Sequence, residues 1–289
     1  MISITHHGRG ADAVTRLELA SRRSRVVGYS ASAYLVRGVL VDTGFSALGG
    51  AFARLLAELR PRAVVLTHQH EDHAGNAALV QRLGLPLAMS AATETAIRAV
   101  APIAFYRRFT WGAMPPLVGP LSSLGAEAMA DAGLTLVHTP GHSDDHHVVW
   151  HAASATMASG DLYLGHKVRV AHPHEDVRGL VPSLRLAASL GPARLFDAHR
   201  GPVEKPVDAL LAKAAWHEET IGAVEALIAA GHDDRTIVRR ALGGESAVGW
   251  FSGGDYARVN FVKSVRARGS SHAEPFPLGR RAPGSTQSG

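Results

Sequence analysis

His68-Gln69-His70-Glu71-Asp72-His73 follows without a break on Ala63-Val64-Val65-Leu66-Thr67. The apolar run, bounded by Pro61 and the polar segment, reads as a short buried strand. Imidazole and carboxylate are the natural ligands of divalent first-row metals, and the HxHxDH spacing offers His68, His70, Asp72 and His73 directly after a strand end. In a loop leaving a strand, residues two apart converge on one ion while the next pair turns toward another. Four ligands this close cannot surround one ion without strain, so the spacing points to two adjacent ions. A solvated histidine-rich loop would account for any three of these side chains, but poorly for all four in this place.

Outward from this stretch, strand and helix alternate. Thr15–Ser21 and Val26–Val36 alternate apolar and polar residues and predict strands. Arg37-Gly38 then forms the turn into Val39-Leu40-Val41-Asp42-Thr43-Gly44, which leaves Asp42 at a strand end. Leu48, Phe52, Leu55, Leu56 and Leu59 recur at helical spacing, and Pro61 stops that helix. Helices are expected over 77–83 and 93–100, with a strand at 87–90 between them. Residues 102–125 (with FYRRFTWGAMPPLVGP) break the pattern, too irregular for a regular element and too apolar for a free linker, and read as a loop region covering something. Further strands are expected at 134–138, 148–151, 156–159 and 194–197, with a helix at 183–190. Strand after strand ends in a chemical side chain: His142 and His146 in TPGHSDDHH, Asp161 in SGD, His199 in AHRGP.

Amphipathic helices at 207–230, 234–242 and 256–267 then form a helical appendix. The expected division is a domain over 1–204, the appendix over 205–268, and a disordered Gly/Ser/Pro-rich tail over 269–289.

Composition narrows the chemistry. The chain has 289 residues, 46% hydrophobic and 19% charged, enough to bury a large core. With no cysteine, disulfides, thiolate metal sites and cysteine nucleophiles all drop out, and any metal must be held by His, Asp or Glu. The net charge of +5 comes from 26 Arg and 4 Lys scattered along the chain. The clusters at Arg22/Arg23/Arg25, Arg107/Arg108 and Arg239/Arg240 read as solvated faces, which argues against a nucleic-acid partner. No apolar run is long enough to span a bilayer and no leader pattern opens the chain, so a cytoplasmic protein without a membrane partner is expected. The 17 histidines, several beside Asp and Gly, are the informative excess.

These residues taken together resemble the metallo-β-lactamase superfamily of dinuclear metallohydrolases, whose five motifs appear here in order. Asp42 in VDTG matches the first, His68/His70/Asp72/His73 the second, His142 the third, Asp161 the fourth and His199 the fifth. The match covers about the first two hundred residues. The resemblance implies an αββα sandwich, an α/β (α+β) fold with ligand loops at one edge. It implies that His68, His70 and His142 hold one metal, that Asp72, His73 and His199 hold the second, and that Asp161 bridges them. Asp42 would orient the ligand loop from behind, and His146, four residues after His142, would support the site in the same way. Two Zn2+ ions per chain are implied, with Fe or Mn accepted by the same donors. Ions about 3.5–4 Å apart would turn a bridging water into the nucleophile, with Asp72 or Asp161 managing the proton.

The function implied is a metal-dependent, specifically zinc-dependent, hydrolase of a small ester, thioester or lactone. The alternatives are a phosphodiesterase or endoribonuclease on the same centre and a mononuclear iron sulfur dioxygenase. His70 stands where the flavodiiron branch has glutamate, and the absence of cysteine excludes lactamase subclasses with a thiolate ligand. The chain after Asp161 is too short for the inserted domain of the nucleic-acid-processing members. Arg200 departs from the Gly common after the fifth motif and either reads an anionic substrate group or ion-pairs with a neighbour. Tyr163 is a candidate phenol near an oxyanion, and His166, His172 and His174 are weaker substrate contacts. The last helices resemble the winged-helix-like appendix of hydroxyacylglutathione hydrolase-like and endoribonuclease-like members, with Arg258, Asn260 and Lys263 as candidate contacts and no evident anion clamp. Substrate identity and oligomeric state stay open.

Overall fold

The computed structural model describes residues 1–99 and 102–267; the expected tail over 269–289 lies outside the described residues. Its strands are β1 (Ile2–His7), β2 (Val14–Leu19), β3 (Ala31–Val36), β4 (Val39–Val41), β5 (Ala63–Val65), β6 (Leu87–Ala88), β7 (Leu134–His138), β8 (His147–His151), β9 (Thr156–Ala158), β10 (Arg194–Asp197) and β11 (Gly201–Val203). Its helices are α1 (Arg22–Val26), α2 (Gly49–Leu59), α3 (Glu71–Ala74), α4 (Ala77–Arg82), α5 (Ala91–Arg98), α6 (Phe105–Trp111), α7 (Leu124–Asp131), α8 (Leu180–Ser189), α9 (Pro206–Ala229), α10 (Asp234–Ala241), α11 (Ala247–Phe251) and α12 (Arg258–Arg266).

Two mixed sheets face each other, one ordered β1-β2-β3-β4-β5-β6 and the other β11-β10-β9-β8-β7. Period-two alternation assigns the faces. Val39 and Val41 of β4, Ala63 and Val65 of β5, Val149 of β8, Ala158 of β9 and Phe196 of β10 fill the space between the sheets. Leu40 and Val64 point outward into a cluster with Phe52, Leu55 and Leu56 of α2 and Val80 of α4. On the far side, Val148, Trp150, Met157 and Leu195 pack on Leu184 of α8 and on Leu210, Ala214 and Val224 of α9. The result is the αββα layering. Tyr34 ties the sheets together, its hydroxyl donating to the Asp197 carbonyl at 2.5 Å.

With α9, the helices α10 and α12 belong to the same outer cluster, through Ile237, Val238, Phe261, Val262 and Val265. Among the described residues beyond Val203 there are helices and no strand, so nothing there forms a wing. None of the described helices is long and apolar enough to cross a membrane.

Three expectations need correction. Val26–Val36 is not one strand, because Ser21 and Ser24 make a reciprocal capping box that starts α1, and β3 begins only at Ala31. Residues 102–125 are not a plain loop but contain α6 and the start of α7, and α6 docks by Trp111, whose ring centroid lies 4.9 Å from that of Phe45. The edge strands β1 and β11 were not expected; each pairs on one side only, which weakens the sequence pattern.

The candidate metal centre

Every candidate ligand leaves a strand at the same edge of the sandwich. Asp42 follows β4, His68 to His73 follow β5, His142 and His146 lie between β7 and β8, Asp161 follows β9, and His199 follows β10. Two local features shape the loops. Asp42 has a left-handed backbone (φ 63°), a conformation that costs about 1–3 kcal/mol outside glycine. Its carboxylate offsets this by accepting from Thr67 N–H at 2.8 Å, from the Thr67 hydroxyl at 2.9 Å and from His73 Nδ1 at 2.8 Å. Gly160, also left-handed, lets the loop carrying Asp161 close in, since a Cβ there would lie 2.8 Å from His146 Nε2.

The ligand atoms form two adjoining groups. In the first, His70 Nδ1 lies 3.1 Å from His68 Nε2 and 2.9 Å from His142 Nε2, and Asp161 Oδ2 lies 3.3 Å from His142 Nε2. In the second, Asp161 Oδ1 lies 3.1 Å from His73 Nε2 and 3.3 Å from His199 Nε2, while Asp72 Oδ2 lies 3.4 Å from His199 Nε2. Within each group the donor atoms lie within 4.8 Å of one another. Asp161 thus presents one oxygen to each group.

The outward-facing nitrogens are occupied. His68 Nδ1–H donates to the Thr67 hydroxyl at 3.0 Å, which passes its own proton toward Asp42. His73 Nδ1–H donates to Asp42, and His199 Nδ1–H donates to the Ser30 carbonyl at 2.6 Å. His142 Nδ1 faces Glu175 Oε1 at 3.6 Å. Each ring is therefore held with its other nitrogen turned inward, as outer partners of metal-bound histidines do. His146 lies outside both groups: its Nδ1 meets the Thr139 hydroxyl at 2.9 Å and its Nε2 accepts the Asp161 N–H at 3.1 Å, which positions the shared carboxylate.

A metal fits these residues. His73 Nε2 and Asp161 Oδ1 are buried and have no hydrogen-bond partner, a costly arrangement unless a cation lies between such donors. The electrostatics agree. Burial, then the neighbouring charges of His73 and His146, hold His68 well below its ordinary pKa; burial and Arg107 do the same for His70. Both present neutral lone pairs. Burial alone would raise Asp161, but His73 and His199 opposite hold it well below the usual carboxylate range. Burial would lower His199, and Asp161 with Asp72 lifts it to about 9.

The centre opens into a cavity of about 770 Å³. His70, Asp72, His142, Asp161 and His199 form its floor. Arg107 of α6 pairs with the buried Glu71 inside the ligand stretch, and the Tyr106 hydroxyl donates to Asp255 at 2.9 Å, so α6 roofs the cavity between the ligand loop and the last helices. Tyr163 is not among the lining residues; it packs against the outer cluster, and the phenols facing the cavity are Tyr29, Tyr106 and Tyr256. His172 lines the cavity, His174 contacts His70 Nε2 at 3.3 Å, and His166 is exposed and does not line it. Arg200 lines the cavity and donates to the Leu164 carbonyl at 2.8 Å rather than to a carboxylate. Asn260 is buried and bonded to the Ala171 carbonyl; Lys263 is exposed and does not line the cavity. Glu71, Glu175 and Asp255 carried no sequence signal, because each works through a partner distant in the chain.

Paired clusters of imidazoles and carboxylates at one edge of an αββα sandwich define a metal-binding domain of the metallo-β-lactamase type. Comparison with known proteins agrees. The profile of the metallo-beta-lactamase superfamily matches residues 26–199, and the chain belongs to that superfamily. "Beta-lactamase-like protein 2 homolog" of Drosophila melanogaster is 28% identical over 217 residues, 68% of this chain and 69% of that protein. "Probable metallo-hydrolase YybB" of Bacillus subtilis (strain 168) is 31% identical over 130 residues, 44% of this chain and 58% of that protein. Among solved structures, a metallo-beta-lactamase family protein from Thermus thermophilus superposes with a TM-score of 0.55 at 19% identity, covering 92% of this chain and 90% of its own.

Proposed function

We propose that the protein is a hydrolase with two metal ions, most simply zinc, acting on a small ester, thioester or lactone. The observation carrying this reading is Asp161, whose two carboxylate oxygens face two separate groups of imidazole nitrogens. In this reading His68, His70 and His142 hold one ion, Asp72, His73 and His199 the other, and Asp161 both. The ions, when bound, supply charge that polarises the substrate oxygen and lowers the pKa of water. The name of the B. subtilis relative supports metal-dependent hydrolysis as the reaction class.

The chain's own residues do the rest. Asp42 and Ser30 fix His73 and His199 in one tautomer, and His146 fixes the Asp161 backbone. Asp72 lines the cavity and is placed to take the proton of the attacking water. As water oxygen adds to the acyl carbon and the C–O or C–S bond breaks, that proton passes to the leaving alkoxide or thiolate. Trp111 and Phe251 offer apolar surface for an acyl chain.

The test is turnover by zinc-reconstituted protein of a glutathione thioester, an acyl lactone and a short single-stranded RNA, with Asp161→Ala as control and metal counted per chain. Thioester or lactone hydrolysis, lost in the control and with two ions bound, is expected. RNA cleavage alone would replace this reading with a phosphodiesterase. One iron per chain in the protein as purified, before reconstitution, would replace it with the dioxygenase.

A further inference from the structure

Among the described residues the exposed Phe, Trp and Tyr side chains are Phe105, Phe109, Trp250 and Phe251, and all four stand on α6 and α11. Exposed apolar residues scattered singly need no explanation, but these gather in one place. The Phe105 and Phe109 rings stack at 6.5 Å, and Phe251 lies 6.3 Å from Tyr106, so α6 and α11 adjoin. Val26, which ends α1, is 83% exposed; α1 packs beside α6, with the Arg23 guanidinium 5.3 Å from the centre of the Phe109 ring. Phe105 is 84% exposed and Trp250 78%. Gly28 and Tyr29 beyond α1, Arg107 and Thr110 of α6, and Val248 and Phe251 of α11 line the cavity over the candidate metal centre, so the patch rims its mouth.

An ordinary surface helix turns its apolar face inward and polar residues outward. α6 already buries Thr110 and Trp111, yet Phe105, Arg108 and Phe109, at i, i+3 and i+4, share its exposed face. Rings and guanidiniums side by side suit a membrane interface, where rings enter among acyl chains and cations stay at the headgroups. The charge has one sign. α1, α6 and α11 carry Arg22, Arg23, Arg25, Arg107 and Arg108 and no carboxylate, and among the described residues Arg107 alone of these forms an ion pair, with Glu71. Two clusters expected as separate solvated faces thus meet on one side of the molecule. A second copy seated here by a two-fold contact would bring arginine against arginine. A nucleic-acid strand would need free ring faces to stack on, and those of Phe109 are engaged by Phe105 and Arg23. Anionic headgroups over acyl chains accommodate the rings, Val26 and the guanidiniums together.

We propose that α1, α6 and α11 form a peripheral contact surface for an anionic lipid bilayer, which turns the mouth of the cavity toward the membrane. Contact is at the surface, since none of the described helices is long and apolar enough to cross a membrane. The lack of a spanning run, on which the expectation of no membrane partner rests, says nothing about such a surface.

The test sediments the zinc-loaded full chain with vesicles of phosphatidylcholine, alone or mixed three to one with phosphatidylglycerol, at physiological ionic strength. Vesicle binding is read without turnover, so the outcome is independent of the hydrolase reading. The mixed vesicles should bind the protein at least about tenfold more tightly than phosphatidylcholine alone, and Arg22→Gln/Arg108→Gln should remove most of that preference. Phe105→Ser and Trp250→Ser should each weaken binding by about tenfold; both side chains are exposed and neither lines the cavity, so circular dichroism and zinc content should stay unchanged. Brominated lipid should quench the tryptophan fluorescence of the bound protein, and Trp250→Phe should abolish the quenching. No sedimentation, or equal binding to both kinds of vesicle, would overturn the surface. So would binding that Phe105→Ser and Trp250→Ser leave intact, which is what adsorption of a basic protein by net charge alone gives. A dimer that Phe105→Ser converts to a monomer, without vesicle binding, would assign the patch to a second copy. Single-stranded RNA bound through Phe105 in place of vesicles would assign it to nucleic acid and overturn the bilayer equally.

Discussion

The group around His68, His70 and His142 meets the cavity through the nearly buried His70 and His142, whereas the group around Asp72, His73 and His199 reaches it through His199, whose side chain is 19% exposed. The first gathers three imidazoles and one carboxylate oxygen, the second two imidazoles and two carboxylates. Their surroundings differ in charge. Burial keeps His68 and His70 neutral, while burial opposed by Asp161 and Asp42 leaves His73 well above its ordinary pKa. In the two-ion reading proposed above, the first group would be the more buried one that holds its ion, and the second, richer in carboxylate and more exposed, the one that meets substrate. A chelator should empty the second first.

The sharpest break removes what they share. Asp161→Ala should lose both ions and at least about a thousandfold in kcat/KM, with far-ultraviolet circular dichroism unchanged. Metal analysis showing one ion retained at full occupancy would deny Asp161 its bridging place. His199→Ala should separate the halves, leaving one ion per chain and losing about a hundredfold or more in turnover. His68→Ala, by contrast, should weaken both, because its ring lies against His73 with centroids 4.2 Å apart.

A further prediction concerns the support behind the carboxylate that faces both groups. Lys213 of α9 is 1% exposed, and its ammonium donates to the Leu162 carbonyl at 2.9 Å and to the Tyr163 carbonyl, just after Asp161. Burial lowers its pKa to about 8, against an ordinary 10.5. A depressed lysine pKa means that the charged form is penalised in the folded state. The penalty is fully present below pH 8 and is relieved as pH rises toward 10.5, because there the unfolded chain binds the extra proton. This contribution amounts to about 3 kcal/mol. Denaturation of the metal-free protein at pH 7 to 10 should therefore show a rising component that Lys213→Met abolishes. Parallel pH curves for the two proteins would show that the ammonium is not desolvated.

The convergence of the candidate ligands was legible because metal chemistry restricts both residue type and position: four of them follow one buried strand, and the rest lie after strands of the facing sheet. Local spacing suffices there. Glu175, Glu71 and Asp255 were not legible, since their roles exist only once His142, Arg107 and Tyr106 arrive from distant segments. The Ser21 capping box beat an alternating pattern, and α6 was hidden by aromatics that dock through Trp111 rather than along an amphipathic stripe. Tyr163 shows the converse limit: closeness to Asp161 in sequence does not say which way a side chain turns.

Smaller effects should divide the two halves by their outer partners. Asp42→Asn removes a charge 2.8 Å from His73 Nδ1 and should weaken the second group's ion by about 10–100-fold, with a lesser effect on the first, which Asp42 reaches only through Thr67. Equal losses at both ions would mean that Asp42 acts by holding the loop rather than by orienting His73.

Glu175→Gln is the finest of these tests. The Glu175 oxygen lies 3.6 Å from His142 Nδ1, too long for a strong hydrogen bond, and the same oxygen already accepts the His172 backbone N–H at 3.0 Å. Glutamine keeps that acceptor and loses only the charge. The expected loss of metal affinity is under about tenfold and confined to the first group, because Glu175 has no contact with His73 or His199 among its bonds. A larger loss, or one at the second ion, would mean that the carboxylate moves closer to His142 once metal is bound, and would make the more buried half of the site depend on the His172–Glu175 loop as much as the more exposed half depends on Asp42.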